Sequence, residues 1–245
     1  MAKLDYHKKQ IWYTRPFNQT DEIKEAFVGK GAKVSHIPLI ELVVSNDPKV
    51  NTDMANLNEK SWVLIASPTA AQFFFQKLKE IKSKPVFKIA CVGLKTASLV
   101  EKLGHKVSFV PKEENMYTMC RELPFNKGEE IYYFGVSLKG NEENFKTLVK
   151  RGADLKSSKL YHNKSLHLVK ENTVKLNKNR PDYIVLTSYS CVDALVNVQK
   201  QLKWSVFNCP IICIGPLTSR YAQNRGFEQI YTAESPSPQG FINAQ

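Results

Sequence analysis

Small hydroxyl residues, glycines and one arginine follow the short apolar runs of this 245-residue chain. Hydroxyl groups and the free backbone N–H groups at helix starts bind carboxylates and phosphates, so these residue types indicate an anion-binding surface. Any one of them could instead be an ordinary helix N-cap, but five such groups in both halves of the chain favour a binding site. The predicted binding residues are Thr14, Arg15, Ser67, Thr69, Gly93, Thr96, Ser188, Ser190, Gly215 and Thr218.

Other kinds of reactive site are not indicated by the sequence. It contains no nucleophile–histidine–acid pattern, no carboxylate pair and no metal-ligand cluster. Its five cysteines form no CxxC pair, which predicts buried, unreactive thiols in a reducing compartment. Gly29 and Gly31 follow a helical stretch rather than a strand, so they do not form a nucleotide-binding loop. The sequence therefore predicts no cofactor and no metal.

The net charge of +12 predicts an acidic partner. Most of the cations are lysines spread along the chain, and only six are arginines, the residues best suited to base edges and phosphates. A polyanionic small molecule and a nucleic acid both fit this charge. The N-terminus has charges where a signal peptide needs an apolar stretch, and no apolar run approaches the ~20 residues that span a bilayer. We therefore expect a soluble, cytoplasmic monomer with no membrane partner.

The elements that position the predicted residues occur twice along the chain. The apolar run that ends at Ser67 matches the run that ends at Ser188, 121 residues later. The run that ends at Gly93 matches the run that ends at Gly215, 122 residues later. Because strands and helix-ending glycines elsewhere repeat with nearly the same offset, the chain is interpreted as a tandem duplication.

Each half consists of apolar strands that alternate with helices, which predicts an α/β fold with parallel sheets covered on both faces. Ligands of open α/β sheets bind beyond the carboxyl ends of the strands, and the predicted binding residues fall there. We therefore expect two similar flavodoxin- or Rossmann-like lobes, with the working surface in the cleft between them.

These residues also give the chain a resemblance to the uroporphyrinogen-III synthase family. The best match is the C-terminal run, where Ile214-Gly215-Pro216 and Thr218 are followed by Gly226 and by residues 232–239. The resemblance covers nearly the whole chain in order and spacing. The other similar elements are Thr14-Arg15-Pro16, Pro38-Leu39-Ile40, Ser67, Val92-Gly93, Thr96-Ala97 and Tyr161.

The resemblance implies that the two lobes exchange their first strand and helix and are joined by a two-stranded antiparallel linker. Residues 1–36 and 170–245 would form one lobe, and residues 53–155 would form the other. Residues 37–52 and 156–169 would form the linker. Periodicity alone does not predict this exchange.

The resemblance further implies a substrate and a reaction. The family's substrate is hydroxymethylbilane, a linear tetrapyrrole with eight carboxylates, and its product is uroporphyrinogen III in heme biosynthesis. Loss of water from ring A leaves an azafulvene, which ring D attacks through its substituted α-carbon. The resulting spiro-pyrrolenine fragments and recloses with ring D inverted. This lyase reaction implies no cofactor, and the residue nominated for proton transfer to the departing hydroxyl is Tyr161.

Two other interpretations compete with this one. A non-catalytic bilobal protein that binds nucleic acid or another polyanion would carry arginine-rich grooves and stacking aromatics, and the sequence indicates neither. A relative that has lost its activity is disfavoured because the hydroxyl residues and Tyr161 are present.

Overall fold

The structure is a computed structural model that describes residues 4–16, 22–81, 85–136, 138 and 141–245. In chain order its first elements are β1 (Gln10–Tyr13), α1 (Glu22–Gly29), β2 (Lys33–His36), β3 (Ile40–Val44), α2 (Pro48–Ala55), β4 (Trp62–Ile65), α3 (Pro68–Glu80), β5 (Lys88–Cys91), α4 (Leu94–Lys102) and α5 (Met116–Glu122). They are followed by β6 (Glu130–Gly135), α6 (Glu142–Lys150), β7 (Asp154–Lys159), β8 (Tyr161–Ser165), α7 (Lys170–Lys178), β9 (Tyr183–Leu186), α8 (Tyr189–Val198), β10 (Ile211–Cys213), α9 (Pro216–Asn224), β11 (Ile230–Thr232) and α10 (Pro238–Ile242).

The chain divides into two compact units. The first unit is formed by the chain up to Leu42 together with Asn163–Gln245, and the second unit is Val43–His162. The sheet of the first unit has the strand order β11-β10-β9-β1-β2, and every neighbouring pair is parallel. The sheet of the second unit has the order β5-β4-β6-β7, again all parallel. This confirms the predicted fold class of two parallel α/β sheets.

Each sheet combines strands from both halves of the sequence repeat. β1 and β2 pair in the sheet of β9, and β6 and β7 pair in the sheet of β4. A parallel bridge between Ala90 and Phe109 lies beyond β5, at the position that β11 takes beyond β10. Both sheets therefore use the same order of equivalent strands.

Residues on both faces of each sheet are buried, as parallel strands require. In the first unit Trp12 packs on one face with residues of α8, while Ile11 and Tyr13 pack on the other face with α1 and α10. In the second unit Tyr133 packs on one face with Phe145, and Phe134 contacts Phe74 on the other face. Because the strands of each sheet are parallel, their carboxyl ends lie at one edge of that sheet.

β3 and β8 form a separate two-stranded antiparallel sheet, which is shorter than the predicted linker segments. Residues 48–52 of the first segment belong to α2, because Pro48 begins the helix and the Asp47 side chain accepts a hydrogen bond from the Lys49 backbone. Residues 156–159 of the second segment belong to β7, where they pair with β6. Only the central parts of the two segments pair with each other.

The five cysteines are buried and unpaired, as the sequence predicts. Burial raises the pKa of Cys91, Cys120, Cys209 and Cys213 to about 12, so these thiols stay protonated at neutral pH. Within the described residues, no helix is both long and apolar enough to cross a membrane.

Candidate functional site

The helices α8 and α9 begin at the carboxyl edge of the first unit's sheet. Ser188 is the N-cap of α8, and its side chain accepts a hydrogen bond from the backbone N–H of Cys191 (3.2 Å). Ser190 lies in the first turn, and its hydroxyl accepts a hydrogen bond from Asn163 (2.6 Å). The side chain of Ser188 is thus engaged in capping, as a hydroxyl residue at a helix start usually is.

The start of α9 has no side-chain cap. Its N-cap is Gly215, Pro216 follows without an N–H group, and the first amide bonded to the Gly215 carbonyl is that of Ser219 (3.1 Å). The N–H groups of Leu217 and Thr218 precede that bond and have no helical partner. The start of α9 therefore presents unsatisfied donors, and such donors attract anions.

Thr218 places its hydroxyl at this same helix start. The residue is only 6% exposed, yet its side chain forms no hydrogen bond to any described residue. In the described part of the chain, no fully buried side-chain oxygen or nitrogen lacks a hydrogen-bond partner. Because the Thr218 hydroxyl has no such partner, it belongs to the small part of the residue that solvent reaches. Thr218 is therefore not a helix cap, and its hydroxyl is available to a ligand.

These helix starts open into a cavity of about 530 Å³ in the first unit, lined by residues 188–189, 214–218 and 233–236. Of the residues predicted to bind, it brings together Ser188, Gly215 and Thr218. Glu234 also lines it, with its carboxylate accepting a hydrogen bond from Asn243 (3.0 Å). Most of the other lining side chains are apolar, so the cavity combines an anion-binding end with walls suited to a planar organic group.

The second unit repeats the arrangement at α3 and α4. Ser67 is the N-cap of α3, and its side chain accepts a hydrogen bond from the Ala70 N–H (3.1 Å), while Thr69 is half-buried in the first turn. Gly93 is the N-cap of α4 without a side-chain cap, and the buried Thr96 follows three residues later. The pairs Gly93–Thr96 and Gly215–Thr218 thus occupy the same positions in their helices.

One acidic residue distinguishes the second unit's helix start. A side chain built at Gly93 would collide with the carboxylate of Glu114, so that carboxylate lies against the first residues of α4. The position 122 residues later is Pro236, which lines the cavity of the first unit. An anionic ligand at α4 therefore meets a negative charge at a position where the first unit has a proline, although the cavity at α9 has a carboxylate of its own in Glu234.

Tyr161 is packed inside the second unit. It is 8% exposed, and its ring lies 5.1 Å from that of Phe73 between centroids. Burial raises the pKa of Tyr161, and the nearby Ser67 hydroxyl only partly offsets this rise. Burial and the neighbouring Tyr161 raise the pKa of Tyr133 to about 12. Tyr161 is therefore protonated at neutral pH and can act as a hydrogen-bond or proton donor.

Thr14 and Arg15 follow β1 in the first unit. The Thr14 side chain is fully buried, and its hydroxyl donates to the Val185 carbonyl (2.6 Å), which fastens β1 to β9. The backbone carbonyl of Arg15 accepts a hydrogen bond from His36 Nε2 (2.7 Å). Thr14 thus presents no free hydroxyl, unlike Thr218.

A second cavity of about 380 Å³ lies beside β7 in the second unit and is lined in part by Lys49 and Ser158. The Lys49 ammonium donates to the carboxylate of the buried Asp53 (2.5 Å), which also accepts the Ser158 hydroxyl. Because the charge of Lys49 is already paired with that of Asp53, the cavity attracts an anion less strongly than its lining residues alone would indicate.

Sequence reasoning missed two cavity residues and one opposing charge. Tyr189 and Leu217 are large apolar residues that stay exposed while they line the first unit's cavity. The available signal was their position, since each directly adjoins a predicted residue. Glu114 gave no such signal because it lies in a loop far along the chain from Gly93. Among the described residues, no group of histidine, cysteine or acid side chains could hold a metal ion.

Comparisons with known proteins relate the chain to one family. A family model described as uroporphyrinogen-III synthase HemD matches residues 21–243. The porphyrin biosynthesis protein HemD of Ruminiclostridium josui is 23% identical over 236 residues, 92% of this chain and 46% of that protein. The uroporphyrinogen-III synthase of Synechococcus elongatus is 24% identical over 230 residues, 89% of this chain and 87% of that protein. The chain thus spans about half the length of the Ruminiclostridium protein.

Solved structures share the fold. The uroporphyrinogen-III synthetase of Helicobacter pylori 26695 superposes with a TM-score of 0.62 at 18% identity and covers 96% of both chains. A mutant uroporphyrinogen III synthase of Thermus thermophilus gives a TM-score of 0.57 at 12% identity, again with 96% of both chains covered. At these identities the similarity shows the fold alone.

Proposed function

The chain belongs to the uroporphyrinogen-III synthase family, and we propose that it is a lyase that cyclises hydroxymethylbilane to uroporphyrinogen III in heme biosynthesis. The reaction removes water from the hydroxymethyl group of ring A and closes the macrocycle with ring D inverted. Without a protein, the same azafulvene closes without inversion. The protein therefore has to select one geometry of closure rather than supply a strong nucleophile or base.

The cavity at the start of α9 is the observation that supports this proposal most strongly. It has a free threonine hydroxyl and two unpaired backbone N–H groups at one end, and mostly apolar walls around the rest, where Glu234 and Ser235 add polar side chains. A pyrrole ring that carries acetate and propionate arms has the matching chemistry, with a flat apolar body and terminal carboxylates. Thr218 and the α9 amides would bind a carboxylate, and Ser188 and Gly215 would shape the remaining wall.

In the second unit the proposed binding residues are Ser67, Thr69, Gly93 and Thr96. Arg15 and Ser190 would contribute polar groups in the first unit, while Thr14 would act by holding β1 in place. The net charge of +12 favours a substrate with eight carboxylates. We propose that the protein acts as a cytoplasmic monomer without a nucleic-acid or membrane partner.

Tyr161 is the proposed proton donor. Hydroxide is a poor leaving group, so a phenol that donates its proton to the ring A hydroxyl helps that hydroxyl to leave as water. The pyrrole nitrogen supplies the electron pair that expels the water, and loss of the N–H proton completes the azafulvene. Tyr161 is protonated at neutral pH even at the ordinary pKa of a tyrosine, and burial raises this pKa and makes the phenol a weaker acid, so its proton can pass only to a strongly basic group such as departing hydroxide.

Incubation with freshly prepared hydroxymethylbilane tests the proposed function. The product is oxidised to porphyrin, and the type I and type III isomers are separated by chromatography. We expect type III to predominate with the protein and type I to predominate in buffer. If the protein yields the same isomer mixture as buffer, the proposed function is wrong.

A further inference from the structure

One aromatic residue on the cavity wall of the first unit has no role in the fold's core. Tyr189 is the first residue of α8, is 44% exposed and lines the cavity that also contains Thr218. Exposing a large aromatic ring gains little hydrophobic stabilisation, because that stabilisation scales with the apolar area removed from water. The ring is therefore better explained by a contact that the free protein does not make.

The Tyr189 ring is held from one side by a neighbouring helix. It stacks on the ring of Tyr221 in α9, with centroids 4.8 Å apart and an interplanar angle of 29°. The Tyr221 hydroxyl donates to both oxygens of Asp193 (3.0 and 2.9 Å), and Arg225 donates to Asp193 through Nε (2.8 Å). The Arg225 guanidinium also lies 5.7 Å from the centre of the Tyr221 ring. Tyr221 is thus fixed in place, and it fixes Tyr189.

The cavity walls differ in chemistry from the equivalent positions of the second unit. Tyr189, Leu217 and Pro236 line the cavity, and all three are exposed. The residues that correspond to them, 121 or 122 positions earlier, are Pro68, Lys95 and Glu114. At two of these positions the first unit thus has an apolar residue, Leu217 or Pro236, where the second unit has a cation or an anion.

We infer that Tyr189 is a ring-binding residue, which stacks on one pyrrole ring of the linear tetrapyrrole while Thr218 and the α9 amides hold a carboxylate arm of that ring. A pyrrole is a flat, electron-rich ring that pairs with a tyrosine ring in offset or tilted geometry. Tyr221 is a positioning residue that acts through Tyr189. Because the stack on Tyr221 already orders the Tyr189 ring, the substrate does not have to order this ring on binding. This inference rests on the proposed function.

The test measures KM and kcat for freshly prepared hydroxymethylbilane with variants of the two tyrosines. An aromatic pair adds a contribution that corresponds to about three- to tenfold in affinity. We expect Tyr189→Ala to raise KM about three- to tenfold, to change kcat less than about twofold and to lower the melting temperature only modestly through loss of the stack on Tyr221. Tyr189→Phe keeps the ring and should restore the wild-type KM.

Tyr221 and a distant tyrosine provide the controls. Tyr221→Ala should raise KM in the same direction as Tyr189→Ala, and Tyr221→Phe, which keeps the ring but loses the hydrogen bonds to Asp193, should raise KM less than Tyr221→Ala. Tyr117 is a matched control because it is 56% exposed and lies on α5 of the second unit, where its ring and its hydroxyl both contact Arg121. We expect Tyr117→Ala to behave as wild type.

Several outcomes would overturn the inference. A wild-type KM for Tyr189→Ala would do so, as would an equal rise for Tyr117→Ala. A change in the sedimentation coefficient of Tyr189→Ala would show that the ring contacts a second copy of the chain instead of the substrate. These failures differ from failure of the proposed function, in which the wild-type protein itself makes no type III isomer and both proposals fall.

Discussion

At the scale of single residues, Tyr161 carries the proposed chemistry. Tyr161→Phe keeps the ring that packs against Phe73 but removes the hydroxyl. General acids typically contribute 10²–10⁴-fold, and the electron-rich pyrrole already assists departure of the hydroxyl, so we expect kcat to fall roughly tenfold to a hundredfold. KM, melting temperature and the type III product should stay nearly unchanged.

The neighbouring Tyr133 provides the control for Tyr161. Tyr133→Phe removes a buried hydroxyl in the same part of the second unit, and we expect its kcat to stay close to wild type. Turnover of Tyr161→Phe at the wild-type rate would exclude proton donation. Release of the type I isomer would instead give Tyr161 a conformational role.

Variants of Thr218 and Ser188 distinguish ligand binding from helix capping. Thr218→Val removes a hydroxyl that has no described hydrogen-bond partner, so the free energy of unfolding should hardly change. A hydrogen bond to a charged group contributes about 1.5–3 kcal/mol, so kcat/KM should fall at least about tenfold. Ser188→Ala removes an N-cap instead and should lower the stability by about 0.5–2 kcal/mol. Kinetics and thermal unfolding of both variants check this contrast; normal kinetics for Thr218→Val would contradict it.

At the scale of elements, Glu129 joins the start of β6 to β4 and β5. Its carboxylate accepts hydrogen bonds from Lys88 (2.9 Å) and from the Trp62 ring nitrogen (2.9 Å). Burial raises the pKa of Glu129, but these bonds and those from Asn126 outweigh burial and lower the pKa to about 2. The ionised form is thus bound more favourably in the folded protein than in the unfolded chain.

This lowered pKa predicts how acid destabilises the second unit. The stabilisation is fully present above the unfolded pKa of 4.5 and is lost as the pH falls towards 2. Glu129→Gln should lower the free energy of unfolding by about 1–2 kcal/mol at pH 7, a magnitude that allows for screening of part of the interaction by solvent. At pH 2 the substitution should cost much less, because protonation has by then removed most of the stabilisation. Denaturant unfolding at several pH values measures this. Glu59→Gln, at an exposed position, is the control, and an equal loss in both variants would exclude the effect.

The start of α4 gives a second prediction at this scale. The Glu114 carboxylate lies against Gly93 and opposes the binding of a substrate carboxylate there. Removing this charge in Glu114→Gln should lower KM for hydroxymethylbilane by a few-fold, because like charges at a binding site weaken association. Glu59→Gln again serves as the control. An unchanged KM would mean that no substrate carboxylate reaches α4.

At the scale of the whole molecule, the excess of positive charge should act on substrate binding. The Debye length falls from ~10 Å at 0.1 M salt to ~3 Å at 1 M, so salt screens the attraction between lysines and carboxylates. We expect KM to rise with salt concentration while kcat changes less. Steady-state kinetics over that range measure this effect. A KM independent of salt would mean that the net charge serves solubility and not substrate binding.

The sequence predicts the parallel strands and their carboxyl-edge residues well, because apolar runs and helix starts are local signals. It does not predict that β1 pairs with β9, since strand order depends on contacts about 170 residues apart; only the family resemblance implied it. For the same reason the sequence does not indicate the hydrogen bond from Thr14 to Val185. The sequence does not single out Tyr189 either, because an exposed tyrosine at a helix start produces no distinctive sequence pattern.

The ratio of type III to type I product, measured against protein concentration, tests whether the protein directs closure of the macrocycle. A fixed amount of hydroxymethylbilane is divided among reactions with increasing protein, and spontaneous closure competes in each. If the protein directs closure with inversion of ring D, the type III fraction rises with protein concentration until type I disappears. A type I product at every protein concentration would exclude directed closure.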